Sequence, residues 1–179
     1  MHSDLDIMLK VKSGDLDLLS ILFERYKQVL FGFFYRSTSD FASSEDMVQN
    51  VFFRILKYRK SFKGYGKFTT WMYRIAHNVL CDHIKKNKGT ETDNPERINE
   101  LTASATLDGD MISEERLRLL QIALRQLKRE SREVLIMSRY QGLKYREIAD
   151  ILDCSESVVK VRIFRALMQL KNIYLKIAE

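Results

Sequence analysis

The chain has 179 residues, 45% of them hydrophobic and 30% charged, with one Pro and seven Gly. At roughly 150 residues per domain this gives one domain or two small ones, which excludes a large multidomain enzyme, while so little Pro and Gly excludes a collagenous, low-complexity or turn-rich all-β chain. Thirty Lys plus Arg against twenty-four Asp plus Glu leave +6, a balance that favours polyanions, nucleic acid first, over basic partners.

Residues 1–50 carry eight acids and five bases. The start Met1-His2-Ser3-Asp4, with Asp6 following, lacks the basic opening and unbroken apolar run of a signal peptide. No window approaches the roughly twenty apolar residues that span a bilayer, so a cytoplasmic protein is expected. Leu16, Leu19, Phe23, Tyr26, Leu30 and Phe33 follow at steps of three and four and predict a long amphipathic helix, with Leu22 on its flank. Ser43 and Asp46 resemble a capping box for a second helix, whose stripe is Met47, Val48, Val51, Phe52, Ile55 and Leu56.

Residues 54–88 change character: ten bases stand against the single acid Asp82, with six aromatics between Tyr58 and Tyr73. A third helix is expected from Thr69 or Thr70 through Trp71, Ile75 and Val79 towards Lys85, so residues 1–88 read as a helical bundle. Interleaved aromatics and cations suit unpaired bases and a phosphate backbone. Trp71, at helical spacing with Ile75 and Val79, belongs partly to the core, which leaves Phe62, Tyr65 and Phe68 in the glycine-containing loop to meet bases. Residues 89–112 carry six acids and one base together with Pro95, the composition of a flexible linker.

Beyond it, Ser113 is placed to cap a helix to about Lys128 and Ser131 a short one ending before Gly142. Helices over Tyr145–Leu152 and from Glu156 to about Ile177 follow. Ala149, Asp153 and Val159 fall where a helix-turn-helix needs a small residue, a residue tolerant of positive φ and an apolar residue. Ser155 is expected to cap the recognition helix, which carries Lys160, Arg162, Arg165, Lys171 and Lys176. The same spacing also suits a helical hairpin with a solvated basic face. The expectation is an all-α chain: a first helical domain over 1–88, a linker over 89–112 and a helix-turn-helix domain over 113–179.

No catalytic constellation appears. Gly64-Tyr65-Gly66 lacks the third glycine and the strand of a dinucleotide loop, and there is no phosphate-binding G-x-x-x-x-G-K-[ST]. Cys81 and Cys154 form no C-x-x-C pair, so neither a disulfide framework nor a four-cysteine zinc site is available. His77 and Cys81 lie about one helical turn apart and can share a metal, but His83 is about 240° round the helix from His77 and no fourth ligand is near. A surface His and a buried Cys are the expectation, with no metal, cofactor or catalytic residue.

Glu45-Asp46-Met47-Val48-Gln49-Asn50-Val51-Phe52 resembles the D-x-x-Q-x-x-F core-binding helix of the extracytoplasmic-function RNA polymerase sigma factors. Phe68-Thr69-Thr70-Trp71-Met72-Tyr73-Arg74-Ile75-Ala76-His77-Asn78 resembles their F-x-x-W-[LM]-Y-R-I-A-x-N segment. Ser131-Arg132-Glu133-Val134-Leu135 and Tyr145-Arg146-Glu147-Ile148-Ala149 stand in the family's order. The resemblance covers nearly the whole chain. It implies a non-catalytic subunit that binds core RNA polymerase, opens promoter DNA and sets the start site. Asp46, Gln49 and Phe52 would belong to the polymerase-binding helix, with Asp46 and Gln49 contacting the clamp helices of the largest subunit. Phe62, Tyr65 and Phe68 would lie in the loop that captures a flipped −10 base, with Trp71, Arg74, Asn78, Lys85 and Lys86 on the helix facing that element. The acidic linker would thread a positively lined polymerase channel, or serve as a solvated tether.

Ser155, Ser157, Lys160, Arg162 and Arg165 would meet the −35 element, but two hydroxyl residues of the family's G-T-V-K-S-R-L-x-R-A pattern are replaced by Val158 and Val161. With Val159 as zero, Ile163, Ala166, Leu170 and Ile173 fall within about 40° of it and define a core face. Val161, Phe164 and Met168 gather at the opposite pole, where Lys160, Arg165 and Lys171 flank a stripe suited to a protein partner, either an inhibitory anti-sigma factor or a DNA-bound recruiter. A helix-turn-helix regulator that does not bind polymerase is the alternative, and it leaves the aromatic basic block without a role. An enzyme acting on nucleic acid would need paired carboxylates or a metal cluster in that block, where Asp82 stands alone. Co-purification with core polymerase separates these readings.

Overall fold

The computed structural model describes residues 3–87 and 111–178. Among the described residues every regular element is helical: α1 (Asp4–Ser13), α2 (Leu19–Thr38), α3 (Phe41–Tyr58), α4 (Phe68–Asn87), α5 (Met111–Gln126), α6 (Arg129–Leu135), α7 (Tyr145–Leu152) and α8 (Glu156–Ala178). Short 3₁₀ turns precede α2 and follow α3, and a π turn spans Ile136–Tyr140. The expected linker lies outside the described residues except for the backbone of Met111 and Ile112, which already belongs to α5. The side chain of Ser113, expected to cap that helix, also lies outside them, and the helix starts two residues before it.

The helix the spacing does not predict is α1. It opens with a reciprocal capping box: the Ser3 hydroxyl accepts the Asp6 N–H at 3.1 Å, and the Asp6 carboxylate accepts the Ser3 N–H at 3.2 Å. Gly14 ends it at φ 120°, which a side chain rarely adopts, and its N–H returns to the carbonyls of Lys10 and Val11. One face, Ile7, Met8 and Val11, is buried against the bundle.

In α2 the buried positions are Leu22, Leu30, Phe33 and Phe34, while Leu16 is exposed in the turn before it. Ser39, left-handed at φ 59°, stops α2 by donating its N–H to the Tyr35 carbonyl at 2.7 Å. Asp40 then caps α3 by accepting the Ser43 N–H at 3.2 Å. This corrects the expected box of Ser43 with Asp46: Ser43 is already inside the first turn as Asp40's partner, because a carboxylate at the N-cap reaches the N–H groups that begin the helix. Met47, Val48, Val51, Phe52 and Ile55 of α3 meet Met72, Ile75, Ala76, Val79 and Leu80 of α4 across the core. Each such side chain contributes about 1.5–3 kcal/mol by leaving water.

The second half is built on α8, whose Val159, Ile163 and Ala166 are buried while Leu170 and Ile173 pack at its edge, as the wheel predicts. Asp153 makes the turn from α7 to α8 at φ 51°, and Ala149 is buried beneath it. Ser155 is the residue before α8, and its hydroxyl accepts the Val158 N–H at 3.4 Å. Ser131 is not a cap: α6 begins at Arg129, and the Ser131 hydroxyl donates instead to Gln169 of α8 at 3.2 Å. The two halves share one contiguous apolar cluster, with α4 lying against α7 and α2 against the π turn.

Candidate nucleic-acid and polymerase interfaces

Three surfaces carry the residues singled out in the sequence. The outward face of α3 presents Asp46 and Gln49 to solvent, whereas Phe52 is 6% exposed and meets the Phe23 ring edge-on at 5.0 Å. Phe52 therefore belongs to the core and supports the face from below, which corrects its expected role as a contact residue. The aromatic that reaches solvent is its neighbour Phe53, 65% exposed. Phe53, Gln49, Asn50, Lys57, Tyr58 and Asp82 line a groove in which the Arg54 guanidinium joins Asn50 at 2.9 Å and Asp82 at 2.8 Å. Two apolar rings in the groove and two polar residues beside it on the same helix suit a protein partner.

The second surface is the loop after α3 and the helix it leads into. Phe62 and Phe68, expected to meet bases, are each 2% exposed: Phe62 packs on Trp71 at 5.1 Å, and Phe68 on Tyr26 at 5.6 Å. The Lys12 ammonium fixes the loop by donating to the Phe62 carbonyl at 2.6 Å. Burial overrides the compositional expectation because these rings fill the space between α1, α2 and α4. Tyr65 remains outside, 75% exposed, with the Lys63 ammonium 5.8 Å from its ring centre. Trp71 is half-buried, while Arg74, Asn78, Lys85 and Lys86 are exposed along α4. One aromatic ring on a loop between glycines, followed by a row of cations, fits single-stranded nucleic acid.

The third surface is α8, where Ser155, Ser157, Lys160, Arg162 and Arg165 are all exposed and Lys160 pairs with Glu156 at 3.2 Å. Val161, Phe164 and Met168 are exposed too, Phe164 by 66%, in the stripe the wheel places opposite the core.

His77 and Cys81 do not behave as expected. His77 is half-buried and its Nδ1 lies 2.6 Å from the Glu133 carboxylate, while Cys81 reaches the surface in part and sits 3.6 Å from His77 Nε2. Burial, and after it the Glu133 charge, push the Cys81 thiol up, which disfavours the nucleophilic thiolate. His83 turns to Asn87 at 3.0 Å. Among the described residues no group of three His, Cys, Asp or Glu is placed to hold a metal ion. Glu147 of α7 meets Lys67 at 2.9 Å; burial pushes its carboxyl up, but hydrogen bonds from Lys67 and the Lys144 N–H outweigh it and hold the pKa below the usual range. Nothing in the sequence pairs His77 with Glu133 or Lys67 with Glu147, since each partner lies in the other half.

Two family models divide the chain at the same place: Sigma-70 region 2 matches residues 22–90, and Sigma-70 region 4 matches residues 117–170. The RNA polymerase sigma factor YlaC of Bacillus subtilis is 30% identical over 170 residues, covering 87% of this chain and 91% of that one. The ECF RNA polymerase sigma-E factor of Haemophilus influenzae is 28% identical over 180 residues, covering 95% and 94%. Among solved structures, CnrH in complex with the cytosolic domain of CnrY has a TM-score of 0.70 at 22% identity, covering 95% of this chain and 96% of CnrH. The sigma factor RpoE of Bartonella quintana, in complex with the anti-sigma factor NepR, has a TM-score of 0.67 at 22% identity, covering 89% and 98%. The fold is thus that of a two-domain sigma factor. The chain belongs to the extracytoplasmic-function group of RNA polymerase sigma factors.

Proposed function

We propose that this chain binds core RNA polymerase through the outward face of α3, holds the melted −10 strand with Tyr65 and the exposed side of α4, and meets upstream duplex DNA with α8. The observation that carries the reading is the separation of surfaces: an aromatic groove flanked by Asp46 and Gln49 on one helix, and cationic faces on two others. In this reading the protein has no chemistry of its own; the polymerase makes the bonds, and the sigma factor supplies position and strand separation in the cytoplasm. Among the described residues no helix is long and apolar enough to cross a membrane.

Phe62 and Phe68 act here as the buried seat of the loop and Tyr65 as the ring that meets a base. Unstacking one costs a few kcal/mol, which a stacking partner and adjacent cations offset. On α8, Ser155, Ser157, Lys160, Arg162 and Arg165 contact phosphates. The stripe of Val161, Phe164 and Met168 receives the acidic amphipathic helix of an inhibitory protein, a reading supported by the cations that border the stripe. The test is transcription by core polymerase with and without this chain on a promoter library, together with co-purification of the chain and core enzyme. Specific transcripts that need the chain support the reading; a chain that binds duplex DNA but not core polymerase would favour the plain helix-turn-helix regulator.

A further inference from the structure

The two halves meet along α4, on the side of the helix that points away from the core of the first half. Four donors of the α4 region, spread over three helical turns, each face an acceptor of the second half. Lys67 Nζ lies 2.9 Å from Glu147 Oε1, and the Tyr73 hydroxyl donates to Gln141 Oε1 at 2.6 Å. The Arg74 guanidinium donates to the Asp150 carbonyl. His77 Nδ1 stands 2.6 Å from the Glu133 carboxylate, which has only acceptors when ionised, so the imidazole donates there. Every donor is on the first half and every acceptor on the second, the polarity a phosphate backbone would present to the same residues. Tyr73 is 3% exposed and Glu133 4% exposed. A carboxylate is rarely placed so deep without a partner, and in a chain whose halves were apart Glu133 would have none of these contacts with α4.

We propose that the second half of this protein is an intramolecular ligand of its own promoter-reading helix, and that the free chain is closed over part of the surface DNA must reach. This rests on the sigma-factor reading for the identity of the competing ligand, although the closure itself does not. Arg74 is the residue both states claim. Asn78 and Trp71, on the neighbouring side of α4, take no hydrogen bond from the second half, so DNA has a place to start and the second half must leave for it to finish. The contacts from Arg132 to the Ser37 carbonyl at 2.9 Å and from Arg36 onto the Tyr140 ring at 4.5 Å extend the seam to α2. Binding of core polymerase, which needs only the outward face of α3, is compatible with the closed chain and is where opening would be driven.

The experiment uses the full chain. Hydroxyl-radical footprinting reads Tyr73, protected in the free protein and reactive once the protein is bound to core polymerase. Fluorescence anisotropy with a labelled random-sequence 20-nucleotide single strand reads access to α4. Gln141→Ala changes no charge and removes one hydrogen bond at a half-exposed position, so it should tighten single-strand binding about fivefold. Gln141→Ala with Glu133→Ala should make Tyr73 reactive and give a larger gain, with Gln141→Ala as the folded reference if the buried Glu133 site does not tolerate truncation. Tyr73 reactive in the free wild-type protein would overturn the closure. Tyr73 reactive in the double variant with unchanged single-strand affinity would overturn the competition, and Tyr73 still protected in it would overturn the role of these contacts. A chain that closes but fails to bind core polymerase would leave the closure standing and remove the sigma-factor reading.

Discussion

Phe52 and Phe53 are adjacent in sequence and point to opposite sides of α3, so one truncation at each separates folding from polymerase binding. Phe52, 6% exposed and packed edge-on against Phe23, should behave as a core residue. Phe52→Ala is expected to cost about 3–5 kcal/mol of stability. Phe53 leaves 65% of its surface in water, so removing its ring should change stability by less than about 0.5 kcal/mol. If polymerase covers that ring, the side chain of about 150–250 Å² loses on the order of 100–160 Å² to the partner, worth about 2.5–4 kcal/mol at roughly 25 cal/mol per Å². Phe53→Ala should then weaken binding to core enzyme by about seventyfold or more, the range of an interface hot spot. Thermal denaturation and titration of labelled protein with core polymerase measure the two effects. Wild-type affinity in Phe53→Ala would refute the placement of the interface, and a lowered melting temperature there would refute the burial argument.

Asp153 turns from α7 to α8 at φ 51°, where an L side chain costs about 1 kcal/mol. Asp153→Gly should therefore raise the melting temperature despite glycine's larger unfolded-state entropy. Glu147 titrates below its ordinary range in the folded chain, so the stability it adds is complete above the ordinary Glu value of about 4.3 and is lost as pH falls through the lower folded value. Urea denaturation from pH 6 to pH 3 should show that loss, and Glu147→Gln should reduce it. Phe164→Asp places a charge on an exposed position and should leave the fold and core-polymerase affinity unchanged while abolishing binding of the inhibitory protein in a two-component titration.

Wherever helical periodicity was strong, the sequence described the fold well. The steps of three and four through α2, the paired stripe of α3 and the wheel of α8 all mark faces that are buried, because burial of one face is what periodicity records. Asp153 and Ala149 were legible for a different reason: few residues tolerate that backbone or that close approach. α1 was missed because its buried face amounts to Ile7, Met8 and Val11, too short a run to show a period, although Ser3 and Asp6 did spell its cap. The caps assigned to Ser43 and Ser131 failed because a hydroxyl residue says that a helix start is near and not which residue performs it.

The site was less legible than the fold. Asp46, Gln49, Arg74, Asn78, Lys85 and Lys86 are exposed as expected, but an aromatic ring in a loop carries no mark of the side it faces. Phe62 and Phe68 went inward, and only Tyr65 stayed out. Phe53 escaped notice because the motif ended one residue earlier. The pairs across α4 join residues 56 to 80 positions apart, as His77 with Glu133 and Lys67 with Glu147, and no local pattern reports such a distance.

The π turn over Ile136–Tyr140 bears on how this segment can change over generations. Its Gln141 N–H returns to the Ile136 carbonyl at 3.0 Å, five residues back, so the helix carries one residue more than an α-turn would hold. That surplus residue sets the phase of everything after it. Deleting any one of the five would close an ordinary α-turn with little strain, yet it would swing Tyr140 and Gln141 round the axis by about 100°, away from Arg36 and Tyr73. Composition in this stretch is free to drift among residues of similar size, whereas its length is not, and an alignment gap here would mark a descendant in which the two halves no longer meet in the same way.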